Sequence, residues 1–125
     1  RAAQEGIAFA FRYGMDVMRE TGLRLRVIRA GYANLFLSPV FRQTLATLCG
    51  ADIELYNTDG ALGAARGAAL GAGLYASREE TFASLRKIDE VRPDPADRDV
   101  LERGYARWKD ELENRLGRAS HGTSV

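Results

Sequence analysis

The chain has 125 residues, 46% apolar and 28% charged, which suits one small globular domain and excludes wholesale disorder. Eighteen Lys and Arg against seventeen Asp and Glu leave a net charge of +1, too weak a field to gather nucleic acid or anionic lipid, so neither partner is expected. One cysteine (Cys49) and one histidine (His121) exclude an intrachain disulfide and a Cys/His metal site, and point to an intracellular, cytoplasmic setting.

The chain opens on Arg1 with neither a Met nor a leader, so a piece of a longer polypeptide is expected. From Arg1 to Thr21 the spacing of Ile7, Phe11, Met15 and Met18 predicts a helix with those residues on its buried face and Gly22 just past its end. Gly6 and Gly14 inside it each cost about 1 kcal/mol against alanine, which suggests close approach of another backbone. Leu25, Val27 and Ile28 predict a short strand within Arg24 to Ala30, ending in a tight turn at Gly31.

Ser38 followed by Pro39 is a helix start, because the hydroxyl accepts from free N–H groups and proline suits the first helical position. Phe41, Leu45 and Leu48 mark the buried face of that helix, Gly50 stops it, and Ile53 and Leu55 predict a second strand over Asp52 to Tyr56. Strand, helix and strand in that order form a parallel crossover unit, and two short strands imply that further strands of a sheet buried on both faces lie upstream.

Asn57 to Gly60 is turn chemistry, in which Asp59 reads as a cap, and Gly60 to Gly73 holds five Gly and six Ala beside Arg66. Gly63, Gly67 and Gly71 recur every four residues, giving a smooth helical stripe to press against a sheet or a nucleotide. The stretch is too short for a membrane span and carries Arg66. Ser77 and Glu80 form a capping box for a short helix with Phe82 and Leu85 on its apolar side. After the Pro93 and Pro95 break, Leu101, Tyr105, Trp108, Leu112 and Leu116 predict an amphipathic helix from Asp97 to Leu116. The expected division is an ordered part over 1–118 and a small, polar, disordered tail over 119–125.

No catalytic constellation is visible: there is no Walker motif, no Ser/His/Asp set and no paired carboxylates. What remains is the segment Ala30 to Ser38, which joins a strand to a capped helix where free N–H groups and the helix dipole attract phosphate. Crevices at the carboxyl ends of parallel strands are the usual ligand position in open sheets, and Asn57 to Gly60 falls at the same edge. Arg42 is a possible phosphate contact, Cys49 reads as buried and inert, and Trp108 as core.

The order of these parts resembles the C-terminal domain of the FGGY carbohydrate kinases, the xylulokinases above all. The residues that carry it are Ala3-Gln4-Glu5-Gly6-Ile7-Ala8-Phe9, the Gly31 loop leading to Phe41-Arg42-Gln43, and Gly60-Ala61-Leu62-Gly63-Ala64-Ala65 after a turn. The resemblance covers Arg1 to Tyr75 well and the terminal helices more loosely. It implies an α/β fold, the C-terminal lobe of an actin-like (ribonuclease H-like) ATPase, here as two short strands with flanking helices and a helical extension.

It also implies that this lobe holds ATP with Mg2+, that the sugar binds through an N-terminal lobe, and that the catalytic aspartate lies upstream of Arg1. Carried onto this sequence, the nucleotide-binding residues are Gly31, Tyr32, Ala33, Asn34 and Ser38, with Gly31 and Tyr32 along the phosphates or ribose and Asn34 near the adenosine. Ala30 and Tyr32 stand where family members often have glycines, whereas Ala33 to Leu37 resembles the glycerol kinase form of the loop. The expected function is the ATP-binding portion of a sugar kinase acting on a ketose or polyol, most readily xylulose. The piece alone should be inactive, and the family permits a homodimer. A nonenzymatic actin-like assembly module and an oligomerisation domain built from the amphipathic helices are the alternatives.

Overall fold

A computed structural model describes residues 1–121, with side chains through Gly117. In chain order the elements are α1 (Ala2–Glu20), β1 (Val27–Gly31), a 3-10 turn (Asn34–Leu37), α2 (Pro39–Cys49), β2 (Asp52–Tyr56), α3 (Gly60–Gly71), α4 (Arg78–Thr81), β3 (Lys87–Val91) and α5 (Arg98–His121). Residues 122–125, the end of the expected tail, lie outside the described residues.

The three strands form one mixed sheet in the order β1-β2-β3. The crossover unit is present, with β1 parallel to β2 from Val27 opposite Asp52 to Gly31 opposite Tyr56. The third strand was not expected. β3 runs antiparallel to β2, with Ile53 opposite Val91 and a register shift between Leu55 and Tyr56. Its sequence, Lys-Ile-Asp-Glu-Val, carries three charges, and its first three residues are exposed, so it shows no apolar alternation.

The core is organised around α2, of whose eleven residues Phe41, Thr44, Leu45, Ala46, Thr47, Leu48 and Cys49 are buried. Burial of Phe41, Leu45 and Leu48 contributes about 1.5–3 kcal/mol each before chain entropy. One side of α2 meets the sheet face that carries Ile53 and Leu55, and the rest packs on α1 and α5. Both ends of the helix form as the sequence dictates. Ser38 Oγ accepts from Phe41 N–H at 3.4 Å. Gly50, at φ 60°, lets the Ala51 N–H reach the Ala46 carbonyl at 3.3 Å.

The opposite face of the sheet is polar, which corrects the expectation of a sheet buried on both faces. Glu54 accepts from Arg29 Nε at 2.8 Å and from the Tyr56 hydroxyl at 3.0 Å, and Glu90 pairs with Lys87 at 2.7 Å.

Three further expectations change. On α1 the core takes Ala8, Phe9 and Met15, while Ile7, Phe11 and Met18 are 39%, 44% and 45% exposed. The reason is Arg12 and Arg19, which donate to the Leu48 and Cys49 carbonyls at the end of α2 and turn the charged stripe of α1 inward. Nothing lies within 4 Å of a Cβ built at Gly6 or Gly14, nor at Gly63, Gly67 or Gly71, so no close backbone approach uses these glycines among the described residues. α3 accordingly buries no residue and does not press on the sheet. The helix after Ser77 closes after four residues with Thr81 buried and Phe82 41% exposed.

Candidate functional site

β1 and β2 end side by side, and the chain leaves both at the same edge of the sheet. The Tyr32 N–H donates to the Tyr56 carbonyl at 2.9 Å, one step beyond the last paired residues. The loops that follow are in contact at Gly31, where an added Cβ would overlap the Thr58 carbonyl oxygen and lie 3.3 Å from Asp59 Cα. The backbone that glycine admits at this point is thus the chain's own.

The first loop turns sharply. Ala33 N–H donates to the Gly31 carbonyl at 2.8 Å, and Asn34 then adopts φ 52°, a conformation asparagine tolerates better than most side chains. Phe36 and Ser38 N–H groups close the 3-10 turn on Ala33 and Leu35 at 3.1 and 3.0 Å. Beyond capping α2, the Ser38 hydroxyl donates to Gln4 Oε1 of α1 at 3.1 Å.

The second loop is tied down by side chains. Asp59 is the N-cap of α3, its Oδ1 accepting from Leu62 N–H at 2.8 Å. Thr58 Oγ1 accepts from Arg66 at 3.1 Å, and the same guanidinium reaches Ser84 Oγ at 3.0 Å. Asn57 accepts from the Arg86 N–H at 2.6 Å and donates to the Ser84 carbonyl at 3.1 Å.

Between the two loops lies a cleft of about 270 Å³, lined by Gly31, Ala33, Asn34, Leu35 and Phe36 from the first, by Asp59 and Gly60 from the second, and by Phe11 and Phe41. Of the five residues singled out by resemblance, Gly31, Ala33 and Asn34 line it, whereas Tyr32 faces α2 and Ser38 is engaged as a cap. Sequence reasoning assigned Phe11 and Phe41 to the core; Phe41 is there, fully buried, and also backs the cleft, whereas Phe11 is 44% exposed. The signal that could have placed them is the aromatic cluster itself, with Phe36 5.5 Å and Phe11 6.1 Å from Phe41.

Chemically the cleft offers the rings of Phe11 and Phe36 over the buried Phe41, Asn34, and the N-terminus of α3, a twelve-residue helix capped by Asp59. No basic residue lines it. Ligand sites usually enclose about 300–1,000 Å³, so at about 270 Å³ the cleft is at the small end of that range. Asp59 is the only carboxylate lining it, and no cluster of three His, Cys, Asp or Glu that could hold a metal ion occurs among the described residues. One carboxylate fits the way Mg2+ is held with a nucleotide, through phosphate oxygens and one or two acidic side chains.

The remaining candidates are structural. Burial pushes the Cys49 thiol up to about 11, so no nucleophilic thiolate forms there. Trp108 packs among Phe9, Tyr13 and Tyr105, each 6.2 Å away.

No protein-family model matches this chain, and no curated protein gives a significant sequence match. Its structure is similar to that of xylulose kinase from Rhodospirillum rubrum, with a TM-score of 0.70 and 28% identity over 97% of this chain and 25% of that one. The chain therefore spans about a quarter of the length of this neighbour. The fold is that of part of a xylulose kinase, an α/β arrangement in keeping with the resemblance seen in the sequence.

Proposed function

We propose that this chain is the nucleotide-binding part of a sugar kinase that transfers the terminal phosphoryl group of ATP, with Mg2+, to a hydroxyl of a ketose or polyol, xylulose first among them. The observation that carries this reading is the cleft between the two carboxyl-end loops of the parallel pair, on a fold shared with a xylulose kinase.

ATP, when bound, supplies the phosphoryl group, and Mg2+ neutralises its charge. The chain's own residues bind and orient. Phe11 and Phe36 offer apolar surface to a planar base, Asn34 supplies hydrogen bonds to a polar edge, and the N-terminal amides of α3 favour negative charge. Asp59 stays a cap, and with no general base among the cleft residues beyond it, proton removal from the sugar belongs to the part of the polypeptide that carries the sugar site.

The test is ATP-to-ADP turnover by the full-length parent protein with Mg2+ and xylulose, ribulose, glycerol or gluconate, each against a blank without sugar. Turnover stimulated by one sugar is expected, with xylulose strongest, and the 125-residue chain alone should show none. Sugar-independent hydrolysis, or no hydrolysis, would overturn the kinase reading in favour of an actin-like module that binds nucleotide without phosphorylating sugar.

A further inference from the structure

Arg42 stands in the first turns of α2 with its side chain only 12% exposed. Its Nε and Nη1 are wholly inaccessible and have no hydrogen-bond acceptor. Two groups face it. Asp89 Oδ2, on the unexpected strand β3, lies 3.1 Å from Nη1 as an ion pair without hydrogen-bonding alignment. The Tyr32 ring lies over it, with the guanidinium carbon 5.6 Å from the ring centroid.

A guanidinium removed from water and left short of acceptors is unfavourable, so the site must use it for something. Nε and Nη1 cannot reach a ligand, and Arg42 does not line the cleft, so a phosphate contact by these nitrogens is not that use. A planar cation under an aromatic face holds that ring in place, and desolvation strengthens the attraction. Tyr32 is thereby fixed twice, by its N–H on the Tyr56 carbonyl and by its ring on Arg42. The cleft residues Ala33 to Phe36 follow it directly, including Asn34 in its left-handed conformation.

We propose that Arg42, tied to Asp89, is a positioning residue for the nucleotide loop, acting on the bound nucleotide through Tyr32 rather than by contact. This rests on the nucleotide-binding reading above. It also gives β3 a role in the site, because Asp89 anchors the cation from the far edge of the sheet.

The experiment is steady-state kinetics of the full-length parent protein with ATP and sugar varied in turn, for Arg42→Met, Arg42→Lys, Tyr32→Leu and the double variant Arg42→Met/Tyr32→Leu. Arg42→Met should raise KM for ATP by about tenfold and leave KM for the sugar in place, with Arg42→Lys recovering part of the loss. The double variant should be no worse than the weaker single one, because both changes break the same support. Wild-type-like KM for ATP in Arg42→Met, equal rises in both KM values, or additive losses in the double variant would each overturn the proposal. Should Arg42→Met not fold, amide hydrogen exchange of Arg42→Lys decides: faster exchange confined to residues 32–37 supports it, and a uniform increase overturns it. A wild-type protein whose rate does not saturate with ATP would remove the nucleotide reading itself, an outcome distinct from a wild type that saturates and an Arg42→Met that matches it.

Discussion

At Gly31 a single methyl group would collide with the Thr58 backbone. Gly31→Ala must push the two loops apart, at a cost of about 1–3 kcal/mol for overpacking. A lower urea midpoint with unchanged slope is the expected result. Asn34 makes a complementary case, since its φ of 52° suits asparagine and glycine. Asn34→Ala should lose about 1 kcal/mol and Asn34→Gly almost nothing, again by urea denaturation. These two positions show how much a sequence discloses at this scale. The caps at Ser38 and Asp59 were legible because a capping bond joins residues three apart. The glycine at 31 was legible as a tight turn at the end of a strand, but what it meets comes from a loop 27 residues later, and no local pattern contains that partner.

Among the elements, α1 and α2 depend on one another through charge as much as through apolar contact. Asp16 accepts from Arg12 Nε at 2.9 Å, from Arg19 at 3.1 Å and from the Tyr105 hydroxyl at 2.8 Å, which joins α1 to α5. Burial pushes the Asp16 carboxyl upward, but these donors prevail and hold it below its usual range. A depressed carboxylate contributes stability that is full above its unfolded value, near pH 4, and is lost as pH falls through the folded one. Asp16→Asn should therefore be less stable at neutral pH and lose less on acidification, as urea midpoints from pH 7 to about pH 3 would show. Within α2, Leu45 is fully buried, and Leu45→Ala should cost about 2–5 kcal/mol, enough to unfold a marginal domain. The helical period predicted α1 and its buried Met15 but also put Ile7, Phe11 and Met18 inward, because apolar periodicity cannot tell a side that meets the core from one left open. β3 escaped notice for the opposite reason: an edge strand with Lys87, Asp89 and Glu90 has no apolar alternation to detect.

For the molecule as a whole, three surfaces stay largely open among the described residues: the Ile7 and Met18 side of α1, the outer edge of β1, and α3, which buries no residue. A chain spanning a quarter of its structural neighbour would leave such surfaces where the rest of a larger protein seats. Exposed apolar patches favour aggregation. Ile7→Lys/Met18→Lys should accordingly raise the solubility of the 125-residue chain, followed by sedimentation, without moving its urea midpoint. No described helix is long and apolar enough to cross a membrane. The overall plan was legible because the crossover unit is written in short-range signals, whereas the cleft had to await the meeting of two loops and a helix face.

α3 meets that cleft only at its first residue, Gly60, buries none of its residues, and has glycine at four of its twelve positions. Each of the interior glycines weakens the helix by about 1 kcal/mol, with no packing to offset it. Its amides are expected to exchange with solvent orders of magnitude faster than those of α2. On the proposed nucleotide-binding reading, a ligand beside Gly60 would stiffen the start of a loosely held helix and leave the core untouched, and it would be felt first as slowed exchange from Gly60 onward.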